Sequence, residues 1–316
     1  MSEQNKLMVG GQAVIEGVMM RGPKSVATAV REPSGKITVD VKPVHSLADK
    51  YPIFKKPMFR GVLSLGESLV MGLKSLTYSA KMAGEEEEDK LTNKDIALTM
   101  TFSLVAAVVL FIVIPTAAVN LLPTENHYIM NFWEGVVRIA VFFAYIYAIS
   151  QAKDIHRVFQ YHGAEHKTIH AYEAGVELTP KNVQKFSRLH PRCGTSFLLI
   201  VMFVSIFVFS FLGWPSLWER ILSRVILLPV VAGISYEIIR YAGRSKSKFA
   251  HYVSLPGLYL QYLTTREPDD SMIEVAVASL KAAVEIPDEE KVKELNLREI
   301  PQKTLQVDLV QRNADA

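Results

Sequence analysis

Five of the chain's eight histidines fall between His156 and His190. Within that stretch stands His162-Gly163-Ala164-Glu165-His166, an H-x-x-E-H pattern. Residues four apart on an α-helix are offset by only about 40°, so a helix here puts both imidazoles on one face, where they can ligate the same ion. Glu165 is then placed to serve as general base toward water activated by that ion. His170 and Glu173 continue the stripe. Imidazoles at i, i+4 and i+8 with carboxylates on the same side suit a divalent metal, Zn foremost. The competing reading is an exposed polar helix face, or histidines that hydrogen-bond acidic lipid headgroups. It leaves the interspersed Glu165 and Glu173 unexplained. His45 and His127 stand apart and read as surface residues.

Two further constellations could join this one. His190-Pro191-Arg192-Cys193-Gly194 sets a histidine and the chain's only cysteine three residues apart, a spacing that permits joint coordination. Alternatively, Arg192 anchors a helix in headgroups, Cys193 is a small buried filler and His190 merely precedes a proline turn. Arg192 is also placed to lower the thiol pKa of Cys193 without any metal, which makes the cysteine the weaker ligand candidate. The segment Gly10 to Pro23 surrounds the single carboxylate of Glu16 with four glycines. That pattern suggests a backbone approaching something closely, with Glu16 as a third ligand or an acid/base group. It has neither G-x-G-x-x-G spacing nor the Lys-Ser/Thr of a phosphate loop, so a nucleotide site is weakly supported. The other reading is a Gly-rich bend ahead of the first strand.

These groups need elements to hold them, and composition says which kind. Of the 316 residues, 49% are hydrophobic and 21% charged, and the mean hydropathy of +0.17 points to a membrane protein. A formal charge of +3 is too balanced to advertise nucleic acid as a partner. A lone cysteine excludes an intrachain disulfide. The first 25 residues show no apolar segment of secretory type. Ile96 to Val119 and Thr195 to Trp218 are charge-free runs of ~24 residues, long enough to cross ~30 Å of hydrocarbon. Weaker segments follow each: Asn131 to Gln151 with Glu134 and Arg138, and Leu217 to Arg240 with Glu219, Arg220, Arg224 and Glu237. Those charges are expected to snorkel or to pair with one another.

Four spans result, and Lys and Arg orient them. The segment Ala152 to Arg192 carries seven basic residues and Asn120 to Phe132 none, which puts the His-rich loop 152–194 and both termini in the cytoplasm. Ahead of the spans, Val26 to Val30 and Ile37 to Val41 flank Pro33-Ser34-Gly35 and read as a β hairpin. Phe59 to Met82 has the period of an amphipathic helix, lying on the membrane surface or packed on the β unit. Glu85 to Asp89 reads as a solvated linker. Phe249 to Leu263, with Tyr252, Tyr259 and Tyr262, reads as an interfacial or re-entrant segment. Ser271 to Ala283 is expected as a helix, and the charged chain from Pro287 onward as an extended tail. The expected fold is thus a mainly α membrane protein in three parts. Residues 1–95 form a cytoplasmic α+β region, 96–265 a membrane domain with the His-rich loop, and 266–316 a cytoplasmic helix and tail.

The combination GGQAVIEGVMMRGP near the start, YHGAEHKTIHAYE after the second span and HPRCGTSF before the third resembles the YqhQ-like family of bacterial membrane proteins, a domain of unknown function. The resemblance covers roughly residues 8 to 285, with three motifs in order. Members of that family are described as predicted metal-dependent enzymes, which implies a metal more firmly than a reaction. Carried over residue by residue, it implies Glu16, His162, Glu165, His166, His170, Glu173, His190 and Cys193 as the functional set. His162 and His166 are expected to ligate, with one of Glu16, His170, Glu173 or His190 completing one shell. Two functions compete: a membrane-bound divalent-metal hydrolase acting on a lipid-linked or membrane-proximal substrate, with Glu165 or Glu16 as proton acceptor, and a non-enzymatic membrane protein whose structural metal fixes a docking surface for cytoplasmic partners. A transporter ranks third, because the charges in the spans are few.

Overall fold

The computed structural model describes residues 9–84, 93–213, 216–242, 245 and 247–285. The expected linker Glu85 to Asp89 and the tail from Pro287 lie outside these residues. The chain opens with a four-stranded antiparallel meander: β1 (Gly10–Val14), β2 (Gly17–Arg21), β3 (Ser25–Arg31) and β4 (Ile37–Pro43). The hairpin expected around Pro33-Ser34-Gly35 joins β3 to β4, with Ala29 opposite Val39. The Gly-rich segment is a second hairpin rather than a bend. Val14 pairs with Gly17 across the two-residue turn Ile15-Glu16, and Glu16 has φ of 49°. Glycine's low strand propensity hid it in the sequence.

Side chains alternate across these strands, so the two faces find different partners. Val18, Met20, Ala27 and Ala29 face one way, into a core shared with α6 (Lys153–Ala174), α7 (Pro180–Val183) and α11 (Asp270–Glu285). Tyr161, Ala164, Ile169, Ile273 and Leu280 supply the helical side of that core. Ser25 Oγ donates to the Ala283 carbonyl at 2.8 Å and Ser279 Oγ to the Ala27 carbonyl at 2.9 Å, which ties α11 to β3. A short helix, α1 (Leu47–Lys50), follows the sheet, and Met19, Val26 and Thr28 face the other way, toward the next helix, α2 (Phe59–Met82), where Thr28 Oγ1 donates to Ser75 Oγ at 2.9 Å.

The bounds of α2 agree with the sequence reading, but its packing side does not follow the apolar stripe. Its buried residues are the small Gly61, Gly72, Ser75 and Ser79, while Leu69, Val70, Leu73 and Leu76 are exposed. Gly72, Ser75 and Ser79 let the helix lie close against the sheet, and Gly61 lies against Gly233 and Tyr236 further along the chain.

The apolar helices are α3 (Asn93–Val108), continued through a π turn at Val109–Val113 into α4 (Ile114–Val119), then α5 (His127–Ile149), α8 (Gly194–Ser210), α9 (Leu217–Ala242) and α10 (Lys248–Thr264). Among the described residues, three segments are long and apolar enough to cross a membrane: Ala97–Val119, His127–Ile149 and Trp218–Ala242. The run Thr195 to Trp218 makes a shorter helix of 17 residues, about 26 Å. Three of the charges in the apolar helices pair with one another as expected: Glu134, 1% exposed, accepts from Arg138 at 2.6 Å and is gripped by Arg224, whereas Glu219 accepts from Ser216 and Glu237 pairs with Arg60 of α2. Arg138 Nε also donates to the Phe111 carbonyl at 2.9 Å. That carbonyl would be the i−4 partner of an N–H that Pro115 lacks. At the polar end of α5 the chain breaks at extended Ala152 (ψ 135°), so α6 is a separate helix that folds back toward the sheet.

Candidate metal centre

The helix α6 carries the histidine stripe on one face, as the i, i+4, i+8 spacing requires. The ring centroids of His162 and His166 lie 4.4 Å apart. Facing them is the segment 190–193, which leads into α8, and Cys193 is the N-cap of that helix. Gln261 of α10 fixes this segment: its Oε1 accepts from the His190 N–H at 2.7 Å and its Nε2 donates to the His190 carbonyl at 2.8 Å.

Backbone carbonyls set the tautomers. Nδ1 of His162 lies 2.8 Å from the Thr264 carbonyl, and Nδ1 of His166 lies 2.6 Å from the Arg188 carbonyl. A carbonyl oxygen only accepts, so each Nδ1 carries the hydrogen and each Nε2 keeps its lone pair for a metal. This is the outer-shell arrangement that orients metal-binding imidazoles. The Nε2 of His162 is 3.3 Å from Cys193 Sγ, and ligand atoms of His162, His166 and Cys193 lie within 4.8 Å of one another. Ligands on one Zn stand about 3–4 Å apart, so side-chain shifts of about 1 Å close the shell.

Glu165 lies beside this triad, its Oε2 3.9 Å from His162 Nε2. It also accepts from the Gly11 backbone N–H on β1. A Cβ at Gly11 would sit 2.8 Å from Glu165 Oε1, so only glycine lets the strand lie over the carboxylate. Gly163, the weak helix former in the motif, has a similar reason: a Cβ there would strike the Arg266 carbonyl, which crosses α6 at that point. Burial pushes the Glu165 carboxyl up to about 8. Burial also holds the His166 imidazolium well below its ordinary range and His190 down at about 4.

His170, Glu173 and His190 form a second group whose ligand atoms also lie within 4.8 Å of one another. The rings of His170 and His190 are 4.5 Å apart, and His190 Nε2 is 3.7 Å from Glu173 Oε2. This group fits a cation less well. Glu173 is ion-paired with Arg192, and His170 Nε2 donates to the Leu189 carbonyl at 2.9 Å. Arg192 therefore turns to Glu173 rather than to the thiol. The Cys193 pKa is raised by burial, against the hydrogen bonds of Thr195.

Glu16 belongs to neither group. Arg157 of α6 holds its carboxylate, with Nε 2.6 Å from Oε1, and Tyr161 donates to Oε2 at 3.3 Å. The sequence reading did not single out Gln261, Thr264, Arg188 or Arg157. Three of them act through backbone carbonyls or bind the backbone, and such contacts leave no mark of residue type.

A family model described as "Protein of unknown function (DUF1385)" matches residues 56–286. The chain belongs to this family. The match takes in His162 through Cys193 and begins after the sheet, so Glu16 and Gly11 lie outside it. The chain is similar to "Uncharacterized protein YqhQ" of Bacillus subtilis (strain 168), with 37% identity over 287 residues, covering 85% of this chain and 90% of that protein. No solved structure matches.

Proposed function

We propose that this DUF1385 protein is a multi-pass membrane protein with a divalent metal centre at its cytoplasmic face, and that it is a metal-dependent hydrolase of a lipid-linked or membrane-proximal substrate. One observation carries the reading: ligand atoms of His162, His166 and Cys193 lie within 4.8 Å of one another, beside the buried carboxylate of Glu165. A Cys/His set of this kind suits Zn. The ion, when bound, would polarise a substrate oxygen and favour deprotonation of water. The chain's own residues do the rest. Thr264 and Arg188 carbonyls orient the imidazoles, Glu165 takes and returns a proton, and Gly10-Gly11 covers the carboxylate against solvent. The three apolar helices support membrane insertion, and the basic residues of 152–192 support a cytoplasmic site.

The near-complete burial of His166, Glu165 and Cys193 favours a second reading, a structural metal that fixes a docking surface. Elemental analysis of the detergent-purified full chain tests what both share. About one equivalent of metal is expected in the wild type, falling at least tenfold in a His162→Ala, His166→Ala double variant and unchanged in Glu16→Gln. A metal content the double variant leaves intact would overturn the proposal.

A further inference from the structure

Between α8, α9 and α10 lies a cavity of about 660 Å³. Its α8 wall comprises Ser196, Leu199, Ile200, Phe203 and Val204, the recurrence of one helix face. The groove therefore follows α8 for about 12 Å at 1.5 Å per residue. On α9 it is lined by Ile234, Glu237, Ile238 and Tyr241, which run antiparallel to that wall. Apart from Ser196, Glu237 and the Tyr241 hydroxyl, the lining side chains are apolar. Phe203 and Tyr241 at its edges are 51% and 56% exposed, so the groove opens sideways onto the surroundings of two apolar helices.

Glu237, midway along the α9 wall, is paired with Arg60, whose Nε lies 2.7 Å from Glu237 Oε1. Ser196 begins the α8 wall, one turn along α8 from Cys193, and its backbone N–H donates to the Cys193 carbonyl at 3.1 Å. Gln261 Nε2 bridges Ser196 Oγ at 3.4 Å and the His190 carbonyl. The wall of the cavity and the metal centre thus share the first turn of α8.

From this geometry we infer that the groove holds the hydrocarbon tail of the substrate, a single-chain amphiphile whose polar head emerges at the Ser196 end beside Cys193. Size favours one chain. At roughly 30 Å³ for a group the size of water, the cavity takes about twenty carbons, less than the two tails of a diacyl lipid. A long apolar slot with a few polar groups is the common form of a small-molecule site. The inference rests on the membrane-bound metal-centre reading above.

The test uses the full chain in nanodiscs with two photoactivatable probes, a C16 alkyl phosphate and a phosphatidylglycerol, each carrying a diazirine at mid-chain. Labelled residues are mapped by mass spectrometry, and metal is measured on the same samples. The expected result is alkyl phosphate labelling of residues 199–204 and 234–238. It should fall at least tenfold in Ile200→Trp and, separately, in Val204→Trp, with metal content unchanged. Labelling of the groove in protein that holds no metal would support the tail site while removing the metal-centre reading. Full metal content with no label in the groove would overturn the tail site and leave the metal centre standing. Equal labelling by phosphatidylglycerol that excess alkyl phosphate does not displace would also overturn it, since the groove would then hold bulk lipid.

Discussion

Glu165 and His166 are neighbours whose burial pulls them in opposite directions. The Glu165 carboxyl rises from its ordinary 4.5 to about 8, and the His166 imidazolium falls well below 6.5. In the metal-free protein both groups are therefore neutral near pH 7. An acid whose folded pKa is raised favours folding most below its unfolded pKa, and that advantage is lost as pH climbs from about 4.5 through about 8. A histidine whose folded pKa is depressed contributes fully above its unfolded pKa near 6.5, and its contribution is lost as pH falls toward the folded value. Glu165→Gln should accordingly raise the thermal unfolding midpoint of the metal-free protein at pH 9 and leave it unchanged at pH 4. Equal midpoints at both pH values would show that the carboxylate is solvated. The H-x-x-E-H pairing was legible because helical spacing alone places the side chains. The choice of Cys193 over Glu16 as His162's neighbour was not, because it depends on how α10, through Gln261, positions the segment before α8.

Among the elements, α6 and α2 show local preference and tertiary contact in competition. Replacing Gly163 by Ala should gain about 1 kcal/mol of helix propensity. The new methyl would press on the Arg266 backbone carbonyl, and overpacking of this kind costs about 1–3 kcal/mol. A backbone strap cannot move aside as a side chain can, so Gly163→Ala should lower the unfolding midpoint of the full chain, and a rise would disprove the close crossing. In α2 the period and the bounds were legible, but not the side that packs. Periodicity reports a stripe, and the sheet and α9 took the small residues instead, leaving Leu69, Val70, Leu73 and Leu76 outward. An exposed stripe of that extent next to apolar helices belongs at a lipid surface. Nitroxides at Leu69 and Leu73 in reconstituted protein should be relaxed strongly by oxygen and weakly by a water-soluble nickel chelate. Strong nickel relaxation would put the helix in water.

At the scale of the whole molecule, the polar half is assembled from stretches far apart in the chain: the sheet, α6 with α7, and α11. The sequence showed these pieces separately, because hairpin and helix signals are local. Their union was not legible, since Val18, Ile169 and Ile273 read as apolar positions with no partner named. The proposed topology, drawn from the basic residues of 152–192, puts α6 and the sheet at the cytoplasmic face. A cysteine placed at Lys181 in a Cys193→Ser background should be labelled by an impermeant maleimide only after cells are permeabilised. Labelling in intact cells would invert the topology.

If His162, His166 and Cys193 hold a single ion, X-ray absorption at the zinc edge of the metal-loaded full chain should see all three. The expected shell contains one sulfur at about 2.3 Å and two imidazole nitrogens at about 2.0–2.1 Å, with the sulfur scatterer lost in Cys193→Ser. A shell without sulfur, or one that Cys193→Ser leaves unchanged, would rule out this centre.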